Sequence, residues 1–171
     1  MKTKIKTRSL VLAALFAAFI CITISIHIPT GFNGGYVHLG DTFIYLAAVL
    51  LPTPYAMLAA GIGAGLADAL AGGMIWVLPT IIIKPIMVLF FTSKRDSIIC
   101  KKNVLAIVIA GIVGWFGYYL AGAVISGSFV APLATFFIDI MQPIGSGIIF
   151  LIAGYSLDRV KIRQRLSIEA K

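Results

Sequence analysis

Lys84, Asp68 and Asp139 each interrupt a long apolar stretch of this sequence, and Asp41 stands at the head of another. A charged side chain at mid-bilayer costs about 3 kcal/mol on insertion scales, so such residues face a protein interior and find partners there. The candidate partners of Lys84 are Asp68 and Asp139. A buried lysine beside carboxylates can grip a polar solute through charge-assisted hydrogen bonds, or it can clasp two helices together; Lys84 with Asp68 admits both readings. Asp41 either joins the group or caps the helix it begins, satisfying free backbone amides. Gln142 and Ser146 share a helix face with Asp139 by spacing, and Pro143 allows a bend between them.

The segment Pro29-Thr30-Gly31-Phe32-Asn33-Gly34-Gly35-Tyr36-Val37-His38 combines mobile glycines with side chains that hydrogen-bond and stack. Above a buried polar cluster, such a segment is expected to act as a lid over a pocket. His38 is otherwise a solvated loop residue, and Trp76 and Tyr36 are otherwise interface-belt aromatics. A pocket that holds a small ring would use Asn33, Tyr36 and His38 from the lid with Asp41, Asp68, Trp76, Lys84, Asp139 and Gln142. Trp115, Tyr118 and Tyr119 read as ordinary packing.

The elements that must position these residues follow from composition. Of 171 residues, 60% are hydrophobic and only 12% charged, with a mean hydropathy of +1.05. Soluble domains carry about a quarter charged residues, so a water-soluble fold is excluded. Cys21 and Cys100 form no C-x-x-C or Cys/His cluster, so neither a disulfide framework nor a metal site is expected. The net charge of +8 sits in short blocks flanking apolar stretches, which is the layout of a polytopic membrane protein and not of a nucleic-acid binder.

A helical span needs roughly 20 apolar residues, and the apolar runs here are too long for barrel strands. The sequence predicts an all-α bundle of six transmembrane helices at about 10–28, 39–51, 54–71, 75–92, 104–125 and 132–157, between basic tails 1–9 and 158–171. No small-x-small cleavage pattern follows the first run, which is read as a retained helix. Pro52-Thr53-Pro54 divides the second and third helices. Of 14 Lys and Arg, four lie in the first tail, four between 94 and 102, and five in the last tail. The positive-inside rule puts all three blocks, and hence both termini, in the cytoplasm, which four helices followed by two allow. Counted from the outer turns, Asp68, Asp139 and Lys84 then lie roughly 9, 12 and 15 Å deep, within reach of one lysine stem.

Ala13, Ala14, Ala17 and Ala18 form overlapping small-xxx-small pairs on the first helix, a candidate docking stripe for another membrane protein; Gly61 and Gly65 repeat the pattern in the third and read as internal packing.

The six-helix chain, Ala14-x-x-x-Ala18, Gly35-Tyr36-Val37-His38-Leu39-Gly40-Asp41, Gly65-x-x-Asp68 and Lys84 resemble the substrate-binding S component of energy-coupling factor (ECF) transporters. Within that family the chain is most similar to the branch holding riboflavin and hydroxymethylpyrimidine (thiamine-precursor) transporters. The resemblance implies high-affinity capture of a vitamin or precursor at the external face of a bacterial cell membrane, and a multi-pass subunit that is not an enzyme. It also implies partnership with a transmembrane T component, docked on Ala14 and Ala18 with Ala13 and Ala17 as a second register, and with two cytoplasmic ATPases. The chain has no phosphate-binding Gly-x-x-x-x-Gly-Lys-Ser/Thr loop, so no cofactor is expected on it and the partners must use the ATP.

Asp68 and Asp139 against Lys84 leave a local balance of −1, which Asp41 takes to −2. That favours an amino-bearing or neutral heterocycle, with hydroxymethylpyrimidine as the expected solute and riboflavin, pyridoxine or pantothenate as alternatives. Two other classes compete: a proton-coupled secondary transporter using Asp68 or Asp139, and an integral membrane enzyme. The first lacks a repeated half and the second a cluster of acids or a nucleophile–base pair.

Overall fold

The structure, a computed structural model, describes residues 7–29 and 36–163. Its order is α1 (Thr7–Ser25), a hairpin of β1 (His27–Pro29) and β2 (Tyr36–His38), α2 (Asp41–Leu50), α3 (Thr53–Leu70), α4 (Met74–Val88), α5 (Lys101–Ser126), a 3-10 turn (Ala131–Ala134), α6 (Phe136–Asp139) and α7 (Met141–Arg159). This is an all-α membrane protein. The helices Thr7–Ser25 and Lys101–Ser126 and the stretch Phe136–Arg159 are long and apolar enough to cross a bilayer. Large apolar side chains such as Ile22, Leu66, Leu78, Val124 and Ile152 point outward, a costly surface in water and a natural one against lipid.

Local chemistry sets the boundaries. Pro52 precedes α3 and Pro54 occupies its first turn, where a missing N–H leaves nothing unbonded. Gly72 turns the chain into α4 with φ +80°, and Gly127 ends α5 at φ +65°, conformations that favour glycine.

Two expectations are corrected. The predicted first helix, 10–28, ends at Ser25, because His27–Pro29 pairs antiparallel with Tyr36–His38. The predicted sixth helix, 132–157, is broken into the 3-10 turn, α6 and α7. Pro132 and Pro143 lack the donors a continuous ladder would need there, and Trp115 of α5 takes up the Phe136 carbonyl of the broken stretch.

α3 is the hub. A Cβ on Gly63 would fall 2.5 Å from the Ala17 carbonyl oxygen, and one on Gly65 would fall 2.6 Å from Ile81, so α1 and α4 approach α3 almost backbone to side chain. Ala13 is buried and Ala17 lies against Gly63, which turns that register inward as packing between α1 and α3. Ala14 and Ala18 remain exposed on the outer face.

The end of the bundle opposite the hairpin is closed by polar clasps. Asp158 near the end of α7 accepts hydrogen bonds from the Ile98 and Ile99 amides and the Ser97 hydroxyl, at 2.7, 2.9 and 2.6 Å. Fully buried Asn103 accepts from the Thr92 amide at 2.8 Å and donates to the Ile98 carbonyl at 2.9 Å. Between the clasps and the hairpin end lies an aromatic cluster in which Tyr45 stacks on Phe91 and meets Phe150 edge-on.

Candidate functional site

Beside the hairpin the helices part around a cavity of about 820 Å³, counting its open mouth. The hairpin contributes Tyr36 and His38, α2 Asp41, α3 Asp68, and α4 Trp76, Lys84 and Met87. The far wall is Trp115, Tyr118 and Tyr119 of α5, with Thr135, Asp139 and Gln142 from the broken stretch. Every expected binding residue except Asn33 therefore lines one cavity; Asn33 lies outside the described residues.

Lys84, 1% exposed, is paired with Asp41 and not with Asp68 or Asp139: Nζ lies 2.6 Å from Asp41 Oδ1. Depth along the helices does not set this pairing, because α2 is buried around nearly its whole circumference, which turns Asp41 inward. Asp41 caps nothing, since Gly40 holds the N-cap with no side-chain bond. Its second oxygen accepts from Gln142 Nε2 at 3.0 Å. Gln142 Oε1 in turn accepts from the His38 amide at 3.3 Å, and His38 Nδ1 accepts from the Gly40 amide at 3.1 Å. His38 is thus a buried joint and not a solvated loop residue; burial first, and then Lys84, push its pKa down from 6.5 to about 3. Its ring is neutral and its Nδ1 is an acceptor.

A second polar centre lies on α3. The Tyr36 hydroxyl donates to Asp68 Oδ1, while Asp68 Oδ2 is buried with no hydrogen-bond partner among the described residues. Burial and Asp68 hold the Tyr36 phenol well above its ordinary range, so it remains a donor. His27 stacks on Tyr36 at 4.1 Å, which ties the two strands of the hairpin to the same contact. Nearby, Thr80 and Tyr118 share a hydrogen bond of 2.8 Å, and Lys84 Nζ lies 5.0 Å from the Tyr118 ring centre.

The third centre is the half-buried Asp139, which accepts from Thr135 Oγ1 at 2.8 Å. Trp115 Nε1 donates to the Phe136 carbonyl and Tyr119 to the Phe129 carbonyl, both at 2.8 Å, so the aromatic wall also splints the broken stretch.

Trp115, Tyr118, Tyr119, Met87 and Thr135, with Pro132, Pro143 and three glycines of α5, line the cavity outside the expected set. A signal existed: 115, 118, 119 and 122 recur at one helical face of α5, and Gly111 and Gly114 share it. An aromatic face interrupted by glycines is a wall with space in front of it. The lining side chains include three carboxylates and one ammonium group, set among two indoles and three phenols. This arrangement can stack a flat ring and fix its edge by hydrogen bonds.

The sequence profile of the family described as "ECF-type riboflavin transporter, S component" matches residues 4–159. The chain is also similar to a Pyrococcus woesei protein described as "Uncharacterized protein in gap 3'region", with 33% identity over 140 residues, 80% of this chain and 92% of the relative. A membrane-embedded helical bundle with a solute-sized hollow, matched over nearly its full length by that profile, belongs to the ECF transporter S component family, and is a vitamin transporter's substrate-binding subunit and not an enzyme.

Proposed function

We propose that the chain captures hydroxymethylpyrimidine, the thiamine precursor, or a closely similar amino-bearing ring, and delivers it with a transmembrane T component and two ATPases. One observation carries the choice of solute: Asp41, Asp68 and Asp139 face a cavity holding Lys84 as its one lining Lys or Arg among the described residues, between aromatic walls. Carboxylates in a water-poor hollow favour N–H donors and disfavour anions, which sets pantothenate aside. The ring stacks between Trp76, Trp115 and the tyrosines, with Lys84, Asp41 and Gln142 at one edge.

Both termini and the basic connector are cytoplasmic in this reading, six helices cross the membrane, and the hairpin faces outward as the lid. Ala14 and Ala18 form the surface that meets the T component, because they are the outward members of the alanine stripe. Riboflavin is the second reading, favoured by the description of the matching family.

The test is titration of hydroxymethylpyrimidine and of riboflavin into purified protein, followed by tryptophan fluorescence, with Lys84→Ala and Asp139→Asn in parallel. Tight binding of the pyrimidine, weakened at least about tenfold in Lys84→Ala, is expected. Riboflavin binding alone replaces the solute, and unchanged affinity in both variants removes the site. Ala14→Leu with Ala18→Leu should keep binding and abolish uptake in cells that carry the partners; retained uptake removes the docking surface.

A further inference from the structure

We infer that Asp68 is shared between the lid and the ligand: one carboxylate oxygen holds Tyr36 of the hairpin, and the other receives an N–H donor of the bound ring. This rests on the capture reading above and adds to it how the site chooses its ring and how occupancy is felt by the hairpin.

The three cavity carboxylates are not equivalent. Both oxygens of Asp41 are engaged, by Lys84 and by Gln142. Asp139 is only half-buried and accepts from Thr135. Asp68 is 5% exposed, gives one oxygen to Tyr36, and makes no full hydrogen bond with the other among the described residues, although the Thr80 hydroxyl lies beside the carboxylate. A buried acceptor without a donor costs about 1–3 kcal/mol, and a ligand donor recovers that cost once the carboxylate turns to meet it from the cavity that Asp68 lines. The group is also held in place: the Asp68 carbonyl accepts from the Gly73 amide at 2.8 Å, which fixes the end of α3 against the turn into α4. A carboxylate only accepts, so a ring presenting an amino group there is bound and one presenting a carbonyl oxygen is repelled.

Tyr36 makes this a coupling and not only a contact. Its hydroxyl donates to the same carboxylate, and its ring stacks on His27 across the hairpin. A donor arriving on one oxygen fixes the carboxylate plane and so steadies the Tyr36 bond on the other. The ligand thereby adds to its direct contacts with the lid a second hold on it through Asp68, and the lid slows the ligand's escape.

The experiment uses the full chain in detergent micelles. Affinities are measured for 4-amino-5-hydroxymethyl-2-methylpyrimidine and its 4-methoxy counterpart, which has no N–H, and for riboflavin and its N3-methyl derivative, which lacks the ring N–H. The expected result is a preference of about tenfold or more for the donor-bearing member of whichever pair binds, reduced to near unity in Asp68→Asn. Tyr36→Phe should weaken both members of that pair together and keep their ratio. Hydrogen exchange without ligand forms a second arm: amides of residues 27–28 and 36–38 should exchange faster in Asp68→Asn and in Tyr36→Phe than in the unaltered chain. An unchanged ratio in Asp68→Asn overturns the ligand half and leaves the capture reading standing. Unchanged hairpin exchange in both variants overturns the lid half. Binding of neither pair removes the capture reading and the ligand half with it, while exchange still decides the lid. Tyr36→Phe, which keeps the ring and its stacking, guards against a folding defect peculiar to the aspartate change.

Discussion

Glycines serve opposite purposes in two parts of this bundle. Along α3 they let helices touch: Gly63 admits the backbone of α1, and Gly65 admits Ile81 of α4. Along α5 they keep elements apart from the solute's space: Gly111, Gly114 and Gly122 line the cavity, and a Cβ at Gly114 would meet only the flexible end of Met87 at 3.1 Å. The same residue type thus builds a dry seam on one side of α4 and a hollow on the other. The difference is clearest between Gly63, which faces the rigid main chain of Ala17, and Gly114, which faces the deformable Met87 side chain; Gly111, pressed against Pro143 at 2.9 Å, packs as a seam even within the wall.

That contrast can be broken from either side. The largest effect is expected from Lys84→Ala, which strands Asp41 as an unpaired buried charge and should cost about 3–5 kcal/mol in thermal unfolding while abolishing binding. Combining Lys84→Met with Asp41→Leu should restore most of the stability and none of the binding; restored binding would show that the pair is only a clasp. Next, Gly63→Ala should destabilise by about 1–3 kcal/mol without changing affinity at saturation, and Gly114→Ala should do the reverse. Equal losses of stability at both positions would erase the distinction between seam and wall.

A smaller effect follows from His38, which Lys84, Asp41 and His27 influence from the surrounding elements. Its pKa is lowered in the closed hairpin to about 3, and an opened hairpin lets it titrate near 6.5. The open form therefore binds the extra proton, so closure is fully favoured above pH 6.5 and weakens progressively as pH falls toward 3. Hairpin exchange measured across that window should show the slope, and His38→Asn should flatten it. The smallest change is expected from Tyr45→Phe. The Tyr45 hydroxyl is buried with no partner among the described residues, so its removal should leave the melting temperature unchanged or slightly raised.

Much of this was legible in the residues. Apolar runs and proline or glycine punctuation placed α2 to α5 within a few residues of their ends, because turn chemistry is local. The cost of burying charge marked Lys84, Asp68 and Asp139 without any knowledge of the fold. Pairing was not legible: Lys84 meets Asp41, across the bundle, because α2 is wrapped by its neighbours, and a count of depth along each helix carries no rotation about the bundle axis. The aromatic wall was passed over for a related reason, since an indole in a helix reads the same whether it faces packed side chains or a hollow. The break before α7 was hidden because an apolar run reads as continuous until its prolines are weighed against the donors that α5 supplies.

One consequence of dimensions remains. α2 has ten residues and rises about 15 Å, half the thickness of a hydrocarbon layer of about 30 Å. The chamber lies at the head of that short element, walled there by its own first carboxylate and by the hairpin that leads into it. Lengthening the chain by one helical turn ahead of Asp41 would push main chain into that space, so the guest's berth is written in the length of a single element as much as in the side chains that line it.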